Sequence, residues 1–296
     1  LENYYKELSQ IGTSIQVGEG EGIYRMHIHV PLESRYQPID QTMSYGTIKK
    51  VMMENLVAQL EDRENNKNPK LKLAKVQPSE MAVVAVSPGP GLSQIFASLG
   101  VAAIVSGGQT MNPSIKELLA SFEDLPTDKI VILPNNKNII MAAKEAASMT
   151  VKKVAVIPTI NVPQGFSAMF RLVPDGDFDE TVSSMNEALE EVQTGEITVA
   201  NRSVEIDGVQ VKKGQVITLL NGELVSSSKS IEEACEAFLT AAHADDFERI
   251  TFFYGEDLDL QQVNKLADKI RKVYSAHEIE IHYGGQPHYQ LIIAVE

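Results

Sequence analysis

The residues best suited to chemistry in this 296-residue chain lie at 106–113, Ser-Gly-Gly-Gln-Thr-Met-Asn-Pro. Ser106, Gln109, Thr110 and Asn112 offer hydroxyls and amides, while Gly107 and Gly108 let the backbone come close to a bound group. The segment has no nucleophile with a neighbouring base and no pair of carboxylates, so the chemistry it implies is recognition. The turn Pro134-Asn135-Asn136-Lys137-Asn138 carries the same kind of groups on Asn135, Asn136 and Asn138. Two further polar turns lie at 87–91 and 158–165. Gly89 and Gly91 in the first of these are not a P-loop, because no Gly-Lys-Ser/Thr follows. Ser and Asn are also favoured helix caps, so each turn fits capping as well as binding. Backbone amides at helix N-termini can hold an anion such as a carboxylate or phosphate.

His27 and His29 stand at i and i+2 in the run 24–30. On a strand this spacing puts both imidazoles on one face, within reach of a single divalent metal such as zinc. A zinc site needs a third ligand, and no nearby residue is an obvious one. The segment 283–289, Tyr-Gly-Gly-Gln-Pro-His-Tyr, flanked by His282, reads as a hairpin turn or a small ligand loop.

An α/β sheet must position these groups. Residues 81–86, 102–105, 130–133 and 154–157 are short apolar runs without polar alternation. The first three lead through polar turns into helix-periodic stretches at 92–99, from near Pro113, and at 139–149. Such runs make a parallel sheet covered on both faces. Right-handed crossovers then bring the polar turns to the one edge where ligands of open α/β sheets bind. Beyond residue 165 the pattern is mixed. Helices are expected at 178–192, 231–242 and 260–273, with strands at 195–204, 209–211, 216–220, 249–254, 278–283 and 289–295, and Asn221-Gly222 as a hairpin turn. Residues 1–60 carry a short helix (1–11), strands at 14–17 and 22–30 about a turn at 18–21, and an amphipathic helix at 47–60. The charged, aromatic-free stretch 61–75 reads as a linker, with a solvated helix end as the competing reading.

Composition narrows the function. The net charge of −14 argues against nucleic acid or an anionic membrane surface as a main partner. The apolar runs fall far short of the roughly 20 residues that span a bilayer, and no secretory signal is visible. Cys235 is the single cysteine, which excludes an intrachain disulfide and fits a reducing cytoplasm. It reads as a small buried helix residue. The chain starts at Leu1, which fits a piece of a longer protein.

Taken in order, several segments resemble the kinase subunit of bacterial fatty acid kinase. They are His27-Ile28-His29, 106–113, 133–139, Pro158-Thr159, Pro163-Gln164-Gly165, Thr194-Gly195-Glu196, Lys213-Gly214, Tyr254-Gly255-Glu256 and Gly284-Gly285-Gln286-Pro287. The resemblance implies an ATP-binding domain, with its magnesium, upstream of and absent from this sequence. It implies that residues 1–66 are the C-terminal part of a middle domain. Residues 80–296 would form a C-terminal domain similar to the DegV fatty-acid-binding proteins, with a parallel-sheet lobe at about 80–165 and a mixed lobe at about 166–296. In the family, the His-x-His pair and an upstream cysteine form a metal-associated site, so His27 and His29 would hold zinc incompletely here. Val30 stands where the family usually has Thr. The family phosphorylates a fatty acid held by a separate DegV-like carrier protein, feeding phospholipid synthesis, and works as a homodimer. This chain, inactive alone, would dock the carrier through Ser106, Gly107, Gly108, Gln109, Thr110, Asn112, Asn135, Asn136 and Asn138. The alternative is a lipid-binding module. Ser106 and Thr110 would then anchor a fatty-acid carboxylate, with Ile160, Val162, Phe166, Met169 and Phe170 lining a tunnel. A metal hydrolase centred on His27 and His29 lacks acid and base partners.

Overall fold

The computed structural model describes residues 2–20, 23–51, 53, 71–109, 111–206 and 209–296. The chain divides into two compact units, Leu1–Leu71 and Lys72–Glu296.

In the first unit, α1 (Glu2–Leu8) packs with the hairpin of β1 (Thr13–Gly20) and β2 (Ile23–His29) around Tyr4, Leu8 and Ile15. The ladder runs on to Gly20↔Ile23, so residues 18–20, expected as turn, are strand. The amphipathic helix expected at 47–60 is not seen at 47–51, which have no regular structure. The helix comes earlier, as α2 (Gln37–Tyr45). Pro38 presets its first turn, and Gly46 in an extended conformation ends it. Apolar spacing alone carries neither signal. Residues 52 and 54–60, and 61–70 of the expected linker, lie outside the described residues.

The second unit is built on two sheets. The first holds β3 (Ala82–Ser87), β4 (Ala103–Ser106), β5 (Lys129–Leu133) and β6 (Lys153–Val156), all parallel in the order β4-β3-β5-β6. Helix α3 (Pro90–Leu99) follows β3, α4 (Ile115–Glu123) follows β4, α5 (Ile140–Ser148) follows β5 and α6 (Val162–Phe170) follows β6. Along β3, Ala82, Val84 and Val86 enter one core while Val83 and Ala85 enter another. Both faces are therefore buried, which is why the run shows no polar alternation.

After α7 (Phe178–Glu187) come β7 (Gln193–Val199), the small hairpin β8 (Val204–Ile206) and β9 (Val209–Val211), then β10 (Val216–Leu220) and β11 (Glu223–Ser228). Helix α8 (Ile231–Ala241), β12 (Arg249–Tyr254), α9 (Leu260–Val273), β13 (Glu278–Tyr283) and β14 (Tyr289–Val295) follow. The second sheet has the order β11-β10-β7-β14-β12-β13 and is antiparallel except for β12 beside β13. Asn221 and Gly222 both take positive φ at the β10–β11 turn, as the Asn-Gly pair requires. Helices α4 and α5 cover the outer face of the first sheet, and α8 and α9 cover that of the second. Between the sheets lie α3, α6 and α7, in one core with Val83, Leu133, Phe253 and Ile292.

Helix α6 departs from the turn expected at Pro158–Gly165. Asn161 caps it by accepting from the Gln164 N–H at 3.0 Å, and Pro163 sits in its first turn. The strand expected at 195–204 extends only to Val199.

Besides the shared core, the two lobes meet through backbone. Gly284, just after β13, offers its carbonyl to the Gly91 and Leu92 N–H groups at 3.0 and 3.1 Å. The loop's backbone thus caps α3, whose first amides have no partner within the helix. A Cβ on Gly91 would strike the Tyr283 carbonyl, and one on Gly89 would strike the Gly284–Gln286 backbone. Gly91→Ala is expected to destabilise the second unit by about 3 kcal/mol through overpacking against backbone. Gly46→Ala, with open space around it, should stay within about 0.5 kcal/mol. Thermal denaturation of both variants measures the difference.

Candidate functional site

The strand order places a topological switch point between β3 and β5: α3 leaves toward one face of the sheet and α5 toward the other. Open α/β sheets bind ligands in the crevice that such a divergence leaves. Here Asn135 bridges it. Its side-chain amide donates to the Val86 carbonyl at 2.8 Å, and its backbone N–H donates to the Thr159 hydroxyl at 2.9 Å. Asn135 takes φ +53°, a left-handed conformation that asparagine tolerates, and is buried. Its Oδ1 abuts Gly165, where a Cβ would collide with it.

Asn136 is also buried, and its amide donates to Gln109 Oε1 at 3.0 Å. That bond joins the two asparagine- and glutamine-bearing turns into one surface. Gly107 is buried between Pro113 and Val86, and its N–H donates to the Ser87 carbonyl at 3.1 Å. The Gly108 N–H donates to the Met111 carbonyl at 3.0 Å. Ser106, Gln109, Asn112 and Asn138 are exposed. Thr110 lies outside the described residues. Exposed beside these polar groups are Lys137, Met111 (61 %) and Met141 (73 %). Polarity patterns could not single out the methionines.

The other expected binding turns serve the fold. Ser87–Gly91 is taken up by the Gly284 carbonyl. Asn161, at the head of α6, accepts from the Thr194 hydroxyl on β7 at 3.0 Å, tying one lobe to the other. Of the residues expected to line a tunnel, Val162, Phe166 and Met169 are buried in the central core. Phe166 packs between Phe96 and Phe253, at centroid distances of 4.5 and 5.5 Å.

Sequence patterns assign Glu196 no role of its own. On β7, Gly195 packs on Phe238 and Ile197 enters the outer core. Glu196 therefore faces the other lobe, half-buried, with Leu219 and Ile292 as cross-strand neighbours. Burial pushes its carboxyl up to about 7; the Lys137 ammonium and a hydrogen bond from the Tyr289 phenol pull the other way. Burial and the Glu196 charge raise the Tyr289 phenol in turn. A carboxylate between Gly195 and Ile197, on the opposite face of the strand from both, is the one signal that could have drawn attention to it.

In the first unit, His27 and His29 lie on one face of β2 as expected, their Nε2 atoms 3.0 Å apart. Two imidazole nitrogens converging at that distance suit two neighbouring ligands of a zinc ion, whose Zn–N bonds run about 2.0–2.1 Å. Among the described residues no group of three or more His, Cys, Asp or Glu is placed to hold a metal. Cys235 is buried on α8, and burial pushes its thiol up, which makes it inert. No helix among the described residues is long and apolar enough to cross a membrane.

Two facing sheets with a helical layer between them are the DegV architecture. A DegV family protein from Corynebacterium glutamicum superposes with a TM-score of 0.55 over 73 % of this chain and 97 % of that one, at 15 % identity. A fatty-acid-binding DegV protein from Bacillus subtilis gives 0.50 over 73 % and 98 %, at 16 % identity. The chain belongs to the FakA-like family of fatty acid kinase proteins: residues 82–296 match its C-terminal domain. Protein YloV of Bacillus subtilis is 34 % identical over 99 % of this chain and 53 % of its own length. A Staphylococcus epidermidis protein is 35 % identical over 100 % of this chain and 54 % of its own. The chain thus spans about half the length of these curated relatives.

The carboxyl of Glu196 gives a pH signature. Its affinity for a proton rises on folding, from the usual 4.5 to about 7. Its contribution to stability is full below pH 4.5 and is lost as pH climbs to about 7. The expected loss is on the order of 2 kcal/mol after allowing for partial solvation. Glu196→Gln should flatten that part of the stability–pH curve in denaturant titrations between pH 5 and 8.

Proposed function

We propose that this chain is the part of a fatty acid kinase that docks a DegV-like, fatty-acid-carrying protein, while the ATP chemistry belongs to a domain outside this sequence. The observation that carries the reading is the surface joined by the Asn136–Gln109 hydrogen bond, in a domain of the FakA-like family. Its groups recognise rather than react. The exposed amides of Gln109, Asn112 and Asn138 give directional hydrogen bonds, and Met111 and Met141 supply adaptable apolar anchors of the kind enriched in interfaces. Buried Asn135 and Asn136 hold that surface in shape. The direct lipid-binding alternative is less favoured, because Val162, Phe166 and Met169 are consumed in packing. In this reading the first unit supports homodimeric assembly of the kinase in the cytoplasm.

Calorimetric titration with a fatty-acid-loaded DegV-like carrier from the same source tests the docking. Saturable binding is expected, weakened about tenfold or more by Asn112→Ala combined with Met141→Asp, two exposed positions whose change leaves the Asn136–Gln109 bond in place. Saturable binding indifferent to both changes would move the interface elsewhere. No binding at all would end the docking role.

Zinc belongs to the proposal through His27 and His29, with the third donor supplied from outside the described residues. When bound, zinc would cross-link the segment that carries its ligands. Metal analysis after equilibration with zinc should give a chelatable ion that either His27→Ala or His29→Ala removes; retention in both variants would exclude the pair.

A further inference from the structure

We propose that the docking surface carries a redox switch: a peroxide converts the thioethers of Met111 and Met141 to sulfoxides, and the carrier is then released. The inference rests on the docking reading above and adds a control to it. Methionine is among the residue types most often buried, and Met81, Met169 and Met185 follow that rule in the central core. Met111 and Met141 do the opposite, at 61 % and 73 % exposed, and Met141 is the most exposed methionine among the described residues. Each stands within the polar set of its own turn. Met111 directly precedes Asn112, and its backbone is pinned on both sides: the Gly108 N–H donates to its carbonyl at 3.0 Å, and its own N–H donates to the Gly108 carbonyl at 3.3 Å. Met141 lies in the first turn of α5, just beyond Asn138. Ile139 and Ala143 on either side of it enter the core under the first sheet, which leaves Met141 pointing outward.

The sulfur attacks one oxygen of the peroxide. An S–O bond forms, the O–O bond breaks, and the departing oxygen takes up a proton and leaves as water or an alcohol. Sulfur is oxidised by an electron pair, and the peroxide is reduced by the same pair. A flexible apolar side chain thereby becomes a polar one with a new acceptor oxygen. Docking is weakened twice over. The adaptable apolar anchors are lost, and the new oxygens compete for donors the carrier would use, the Asn112 and Asn138 amides and the Lys137 ammonium. Methionine sulfoxide reductases reverse the step, so the surface can be turned off and on. The single thiol does not share the oxidant, because Cys235 is buried on α8. Met43 and Met53 are exposed in the first unit and Met149 beyond the far end of α5, all off the docking surface.

The whole chain is treated with dilute hydrogen peroxide, the oxidant is removed, and the modified sites are mapped by peptide mass spectrometry before calorimetric titration with the fatty-acid-loaded carrier. Met111 and Met141 should each gain an oxygen while buried Met81, Met169 and Met185 do not, and carrier affinity should fall about tenfold or more. Methionine sulfoxide reductases should restore it. The fall should persist in Met43→Leu/Met53→Leu/Met149→Leu, which removes the other exposed thioethers. In Met111→Leu/Met141→Leu, peroxide should leave the affinity where it stood before treatment. An affinity unchanged with both sulfoxides formed, or a fall that survives in Met111→Leu/Met141→Leu, overturns the proposal. So does oxidation that spares Met111 and Met141. An untreated chain that never binds the carrier is a different failure: it ends the docking reading, and the switch with it.

Discussion

Everything in the second unit hangs on how closely Gly284 approaches the start of α3. One carbonyl accepts from the N–H groups of Gly91 and Leu92, and the two chain segments come so near that neither Gly89 nor Gly91 has room for a side chain. The contact does two things at once. It satisfies amides that a helix cannot satisfy itself, and it fixes the spacing between the parallel sheet and the mixed sheet. The Thr194–Asn161 bond repeats the device at α6, where a side chain of one lobe completes the cap of a helix in the other. With these two helix heads held by the opposite lobe, the central helical layer is shared property. Its core draws residues from both sheets and belongs to neither lobe alone.

That constraint also decides which polar turns are free for recognition. Helix heads at the C-terminal edge of a parallel sheet are natural anion sites, and the sequence offers several. The fold commits the head of α3 to Gly284, gives that of α6 to Thr194, and bridges the switch-point crevice with Asn135. What is left facing outward is Gln109, Met111 and Asn112 from one turn and Lys137 and Asn138 from the other, which is why the candidate surface is narrower than the polar composition of the edge.

The sequence disclosed the architecture better than the site. Doubly buried runs such as 81–86 announce a parallel sheet, because both alternating faces must be apolar, and Asn221-Gly222 names its own turn. Helix α6 is hidden because its first turn, Asn-Val-Pro-Gln-Gly, is built from turn formers, and only tertiary burial of Phe166 and Met169 makes it helical. Helix α2 is hidden because it is mostly polar, with few apolar residues such as Ile39 and Met43 to mark a face. At the site, residue type could pick out asparagines but not tell buried Asn135 from exposed Asn138, because both share the turn and differ only in which way the chain points them. Glu196 escapes for a related reason: its meaning comes from Tyr289 and Lys137, distant in sequence and near only in the fold.

The place of β14 has a consequence for synthesis. It is the last strand of the second unit in sequence, yet it lies between β7 and β12 near the middle of the second sheet. While a ribosome is still delivering residues 289–295, β7 and β12 have no strand to join them, and the Gly284 carbonyl has only just arrived. The parallel sheet, whose strands end at Val156, can assemble well before that. A nascent chain must therefore carry an open half-sheet until residues 289–295 insert. Chaperone demand should fall on that interval rather than on the earlier lobe.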